Sequence, residues 1–240
     1  MSPLRSVVPE ANPRILILET SGRTGEVALA RGPTIIRHRL LDESRLHARE
    51  LAPAVAAMLK EEGWRPPEIQ AVIVNRGPGS YTGLRVGIMS AKAFAYATGC
   101  ALIAVDGFHA IAIKAPLEAE EVHVIADAQQ GRVYQQSFSR RLEDGAIISA
   151  SSIGIVEFEA WIQSVPPGEW ISGPALRSFA GRLPARLKTP AQDEWDPHPR
   201  SILEIGLARY WAGERDDHWK LEPLYLRPSS AEEKWAASAQ

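Results

Sequence analysis

A chain of 240 residues with 45% hydrophobic and 23% charged side chains is long enough to bury a core, either as one large domain or as two small lobes. Its net charge of -2 supplies no global positive field for nucleic acid or an anionic membrane, so any RNA contact has to be local or made through a partner. Cys100 is the single cysteine, which excludes an internal disulfide framework and a thiolate zinc cluster and points to the cytoplasm.

Residues 1–13 read as a loose leader with Pro9 and Pro13 and no continuous apolar core of the signal-peptide kind. No apolar run approaches the roughly 20 residues needed to cross a bilayer. "RILILET" from Arg14 is a strand bounded by "SGRTG", and "EVALARG" follows closely enough to pair with it as a hairpin. "TIIRHRLL" extends the meander. From His47, "HARELAPAVAAMLKEEG" sets Leu51, Val55, Met58 and Leu59 on one helical face, with Pro53 in or near the first turn and Gly63 as the stop. "IQAVIVNR" returns to strand, a glycine-rich loop and a second helix follow, and "ALIAVDG" closes a first lobe of order β-β-β-α-β-α-β over residues 14–114. After "IKAPLEAEE" the order begins again: "VHVIADAQ", "GRVYQQSFSR" and "GAIISAS" read as strands. Helical stretches near Val156–Gln163 and Ala175–Leu183 enclose the short strand "EWISG". Leu183–Pro199 shows no clear element, "RSILEIGLARYWAG" is an amphipathic helix and "EPLYLRPSS" a late strand. The expected division is a smaller second lobe over 115–225 and a tail, 226–240, packing back on the first lobe. Two lobes that each open with a β-hairpin suggest a structural duplication of α/β type.

The most specific stretch is "VNRGPGSYTGLRVGIMSAKAFAYATG", Val74–Gly99. Its Gly77, Gly79 and Gly83 are spaced G-x-G-x-x-x-G, one residue too long for the dinucleotide fingerprint, and the loop lacks the Gly-Lys-Ser/Thr ending of a P-loop. Pro78 removes a backbone donor, and Arg85 alone does not replace a phosphate cradle. The more concrete reading is structural: the glycines allow conformations and approaches that side chains forbid, and Ser80 or Thr82 caps the following helix. Gly83, Gly87, Ser90, Ala91, Ala93, Ala95 and Ala97 let that helix come close to a neighbour, while Val86, Met89 and Ala93 keep an apolar stripe. The neighbour is the helix of Leu51 to Leu59, another chain, or both.

Other sites are bare. His47 has Leu51 where a His-x-x-x-His zinc pair needs its second imidazole, and the remaining histidines show no ligand spacing. Asp127, beside Gln129 and Arg132, fits either an acid–base pair or an Asp-stabilised turn, the turn being the commoner use. No nucleophile, and no Ser-His-Asp or Cys-His arrangement, is legible.

"RGPGSYTGLRVGIMSAKAFA", with "ILILETS", "HARELAPAV", "DAQQGRVYQQSF" and "EPLYLRPSSAEEKWA" in order from about Ile15 to Trp235, resembles the bacterial TsaB (YeaZ) family of tRNA threonylcarbamoyladenosine biosynthesis proteins. The resemblance implies the two-lobed actin-like ATPase (ASKHA, ribonuclease H-like) fold. It also implies a non-catalytic paralogue of TsaD that pairs with TsaD, the subunit transferring threonylcarbamoyl to adenosine 37 of tRNAs reading ANN codons, with the small ATPase TsaE joining them. Contact with tRNA would then come through the complex, and the complex rather than this chain would use ATP. His47 with Leu51 corresponds to the decayed metal pair. The partner interface carries over onto His47, Leu51, Val55, Met58 and Leu59 of the first helix and onto Val86, Met89, Ser90, Ala93 and Phe94 of the second. Glu19 stands where the phosphate motif of this fold places Asp, which tells against magnesium-nucleotide binding, and the second lobe lacks a clear Gly-Gly adenosine motif. The alternatives are an independent enzyme of the superfamily, an ATP-dependent kinase or a metallopeptidase, and self-association of the chain through the same helices.

Overall fold

A computed structural model describes residues 10–41 and 47–225. The first sheet has the order β3-β2-β1-β4-β5, built from β1 (Arg14–Glu19), β2 (Glu26–Arg31), β3 (Thr34–Leu40), β4 (Ala71–Gly77) and β5 (Ala101–Asp106). The first three strands form an antiparallel meander, while β4 lies parallel to β1 and β5 parallel to β4. β1 and β4 are buried on both faces, so they read as continuous apolar runs instead of alternating ones.

Strand alternation sends each set of side chains to one layer. Leu16, Leu18, Val72 and Val74 face α1 (His47–Glu62) and α2 (Tyr81–Thr98), where Leu51, Met58, Leu59, Ile88 and Ala91 meet them. Ile15, Ile17, Ile73 and Ile103 face the opposite layer, built from Ile202, Leu203, Leu207 and Tyr210 of α6 (Pro199–Trp211). Gly206 lets α6 lie directly on β4, since a Cβ there would sit 2.5 Å from the Ile73 side chain.

The second sheet runs β10-β6-β7-β8, with β9 also pairing β7. Its strands are β6 (Glu121–Asp127), β7 (Arg132–Arg140), β8 (Ile147–Ser149), β9 (Gly154–Glu157) and β10 (Trp170–Ser172). α3 (Gly107–Ala112) covers one face, and α4 (Phe158–Ser164) and α5 (Leu176–Phe179) cover the other. This is the two-lobed actin-like, ribonuclease H-like α/β architecture, two mixed sheets flanked by helices.

The first-lobe element order stands as the residues indicate, and four expectations change. α6 and the segment after it do not belong with a lobe spanning 115–225. Asp216 accepts the Ala104 N–H at 2.7 Å, Lys92 donates to the Leu221 carbonyl at 3.1 Å, and Leu221 is buried with the first-lobe core. The apolar face of α6 is what closes the second side of the first sheet, so residues 199–225 return to it. Residues 222–225 are not a strand: Leu224 N–H makes a single bond, at 2.8 Å, to the Arg76 carbonyl near the end of β4, and Tyr225 then turns onto Tyr81 and Arg85 of α2. Val156 lies in β9, and the helix starts only at Phe158. α3 was not expected. The tail 226–240 and the leader up to residue 9 lie outside the described residues. Among the described residues no helix is long and apolar enough to cross a membrane.

Candidate functional site

The glycine-rich loop sits on the β1–β2 turn, with Gly77, Pro78 and Gly83 buried and Gly79 and Ser80 at the surface. Ser80 caps α2, its hydroxyl accepting the Gly83 N–H at 3.3 Å, and its own N–H donates to the Ser21 carbonyl at 2.8 Å. Thr82 is exposed and is not the cap. A Cβ on Gly83 would lie 1.9 Å from the Thr20 carbonyl oxygen, one on Gly79 would lie 2.6 Å from the Ser21 Cβ, and one on Gly87 would lie 2.3 Å from the Thr20 hydroxyl. The Thr20 hydroxyl in turn donates to the Gly83 carbonyl at 2.7 Å. These glycines therefore permit close approach of the protein to itself. Gly77 adds a left-handed φ of 115° just before Pro78.

Beneath this contact Glu19 is buried and saturated. Its Oε1 accepts the N–H and the hydroxyl of Ser21, both at 2.6 Å, and its Oε2 accepts Asn75 Nδ2 at 2.6 Å. Asn75 Oδ1 takes the Gly77 N–H at 2.8 Å, so the same side chain ties β1 to the loop. Burial pushes the Glu19 carboxyl up to about 7, against the pull of the Ser21 and Asn75 donors. The carboxylate and hydroxyl that a phosphate or magnesium ion would need at this turn are thus committed to internal bonds. Arg85 lies over the Tyr81 ring at 4.1 Å and donates to the Tyr225 hydroxyl at 2.7 Å, with Tyr81 and Tyr225 stacked at 4.7 Å. The arginine next to the loop is held by the C-terminal segment.

The outer side of α2 is different. Met89 is 61% exposed and Ala93 is also exposed, while Val86, Ser90 and Phe94 are partly buried. Val55 on α1 is partly buried too, beside exposed Ala52 and Ala56. Three residues expected at the partner face are corrected: Leu51, Met58 and Leu59 are buried in the chain's own core. The apolar period of α1 marks the side that must cover the first sheet, and the outward face is left to smaller residues. The His47 side chain falls outside the described part of the structure.

Two aromatic residues that the sequence reading missed join this face. Tyr96, 68% exposed, continues the α2 stripe seven residues after Met89, and its ring lies 5.8 Å from those of both His218 and Trp219. Trp219 is 74% exposed, and its backbone N–H donates to Asp217 Oδ1 at 2.7 Å. The helical spacing could have flagged Tyr96, whereas no local signal relates Trp219 to a helix that ends at Thr98.

Other polar clusters explain themselves. Asp127 Oδ1 accepts the Gln129 N–H at 2.6 Å, which is the turn-stabilising use. The structure brings Ser137 to 3.0 Å from His123 Nδ1 and pairs His123 Nε2 with Glu169. Ser137 lies mid-strand with its N–H donated to Ser151 and its hydroxyl oxygen taking Gln135, so no free donor beside it could stabilise an oxyanion. His198 sits between Glu26 and the Asp193 carbonyl, and the Glu26 carboxylate beside it raises its pKa. Among the described residues no group of three or more His, Cys, Asp or Glu side chains could hold a metal ion.

Comparison with known proteins bears on this geometry. The family model "TsaD: tRNA N6-adenosine threonylcarbamoyltransferase" matches residues 41–170. The TsaB protein of Haemophilus influenzae is 32% identical over 235 residues, covering 90% of this chain and 94% of its own. That of Bacillus subtilis is 26% identical over 236 residues, covering 93% and 98%. The solved structure of YeaZ from Pseudomonas aeruginosa superposes with a TM-score of 0.72 at 26% identity, covering 89% of this chain and all of that one. With more than half the chain inside the family model and an essentially full-length relative above 30% identity, the chain belongs to the TsaB (YeaZ) family of tRNA threonylcarbamoyladenosine biosynthesis proteins.

Proposed function

We propose that this chain is a non-catalytic activating subunit in tRNA threonylcarbamoyladenosine synthesis, pairing with a TsaD-type transferase through the outer face of α2 and the adjoining surface of α1. Residues Val55, Val86, Met89, Ser90, Ala93 and Phe94 form the contact, with Tyr96 and Trp219 at its end. TsaE joins the pair, tRNA is met only through the assembled complex, and ATP is consumed by the complex and not held by this chain. The observation that carries the reading is the contrast within one segment: Gly79, Gly83 and Gly87 pack tightly on Thr20 and Ser21 of the same chain, while the helix they launch presents an apolar stripe to solvent. Exposed aromatic and methionine side chains on small-residue helices suit a close helix–helix contact, and burial returns roughly 25 cal/mol per Å² before association costs.

The test is formation of threonylcarbamoyladenosine on tRNA by the cognate TsaD and TsaE with activated threonyl precursor and ATP, with and without this chain. Product only in its presence is the expected result. Equal product without it overturns the reading. Stoichiometric ATP or metal binding by the isolated chain would favour the independent enzyme, and a tight homodimer that excludes TsaD would assign the same face to self-association.

A further inference from the structure

β10 places Trp170 and Ser172 two residues apart, so both side chains leave the same side of the second sheet. There they line a small cavity of about 10 Å³ together with Ile111, Lys114, Val122 and Glu194. The Trp170 indole N–H and the Ser172 hydroxyl are buried and have no hydrogen-bond partner among the described residues, and Ser172 is only 4% exposed. Two unpaired buried polar atoms on residues that line one cavity are costly, and native interiors resolve such groups with a partner or with bound water.

Lys114 is not the missing partner. Its ammonium is engaged by the Glu194 and Asp196 carbonyls, both at 2.7 Å, and by the Glu194 carboxylate at 3.0 Å. It is a donor, as is the indole, so the pair needs an acceptor that can also serve a hydroxyl. The cavity volume matches a single water molecule and is too small for an organic ligand.

We propose that this cavity is a binding site for one ordered water molecule, which accepts the Trp170 indole N–H and hydrogen-bonds the Ser172 hydroxyl. Its walls come from the end of α3, from β6 and β10 of the second sheet and from the segment that leads into α6 on the first sheet. The water thus ties α3, the second sheet and the 190–194 segment together, a role independent of any partner.

The experiment is water-to-indole cross-relaxation by NMR on the full chain, with the Trp170 Nε1–H assigned by its disappearance in Trp170→Phe. A cross-peak with the sign of a long-lived buried water is expected at that proton. Ser172→Val, which suits a strand and fills the site, is expected to remove the cross-peak and lower the Tm by about 2–4 °C. Absence of the cross-peak in the unmodified chain overturns the proposal without recourse to a variant. A higher Tm for Ser172→Val also overturns it, because a dry cavity would be relieved by losing an unpaired hydroxyl.

Discussion

The two faces of α2 use nearly the same small residues to opposite ends. On the inner face Gly83, Gly87 and Ala91 are buried, and the helix start presses into the β1–β2 turn so closely that a methyl group cannot be added at either glycine. On the outer face Ala93 and Ala97 are exposed beside Met89 and Tyr96, and Met89 is left uncovered among the described residues. Small size on the inner face is a requirement of folding. On the outer face it leaves room for another helix. A glycine- and alanine-rich stretch therefore says that something approaches closely, and only the fold tells whether the approaching group belongs to the same chain.

Substitutions can separate the faces. The largest effect is expected from Gly83→Ala, whose new methyl group meets the Thr20 carbonyl and must drive helix and turn apart. Overpacking of this kind costs about 3 kcal/mol, to be read from urea unfolding, and an unchanged midpoint would mean that the contact yields easily. Ala93→Glu is expected to leave that midpoint unchanged while weakening TsaD binding about 100-fold, because a charge must be desolvated in an apolar contact. Isothermal titration would check it, and full affinity would detach the outer face from partner binding.

The turn under the inner face has its own pH signature. Glu19 has a folded-state pKa raised from 4.5 to about 7, so the folded chain holds a proton that the unfolded chain has released. Its contribution is complete below about 4.5 and is lost as pH rises through about 7, an effect on the order of 3 kcal/mol. Stability measured across this window should show the fall in the unmodified chain and in Ala93→Glu, and a flatter profile in Glu19→Gln. The smallest effect is expected from Trp219→Ala: about tenfold weaker TsaD binding with no change in unfolding. Loss of binding in Ala93→Glu but not in Trp219→Ala would confine the contact to the helices and leave the aromatic cluster outside it.

The structure also shows how far local pattern reaches. The continuous apolar run of β1 marked a strand buried on both faces, and the 3.6 period of α1 and α2 marked helices with one side that must leave water. The same period misled at Leu51, Met58 and Leu59, where burial against the chain's own sheet looks identical in sequence to burial against a partner. The α6 helix was evident as a helix, yet its assignment to the first sheet depends on Gly206 meeting Ile73, 133 positions apart in the chain.

By itself, the sequence determined the order of strands and helices from β1 to β5 and the family, and narrowed the cap on α2 to Ser80 or Thr82, because these rest on short-range periodicity and on motifs read in order. Only the tertiary structure decided what the glycines approach, that Glu19 is spent on Ser21 and Asn75, and that Trp219 stands beside Tyr96. Apart from the local Glu19–Ser21 bonds, each of these is a contact between residues far apart in the chain. Local propensity carries no information about such pairs until the sheet and its covering helices bring them together.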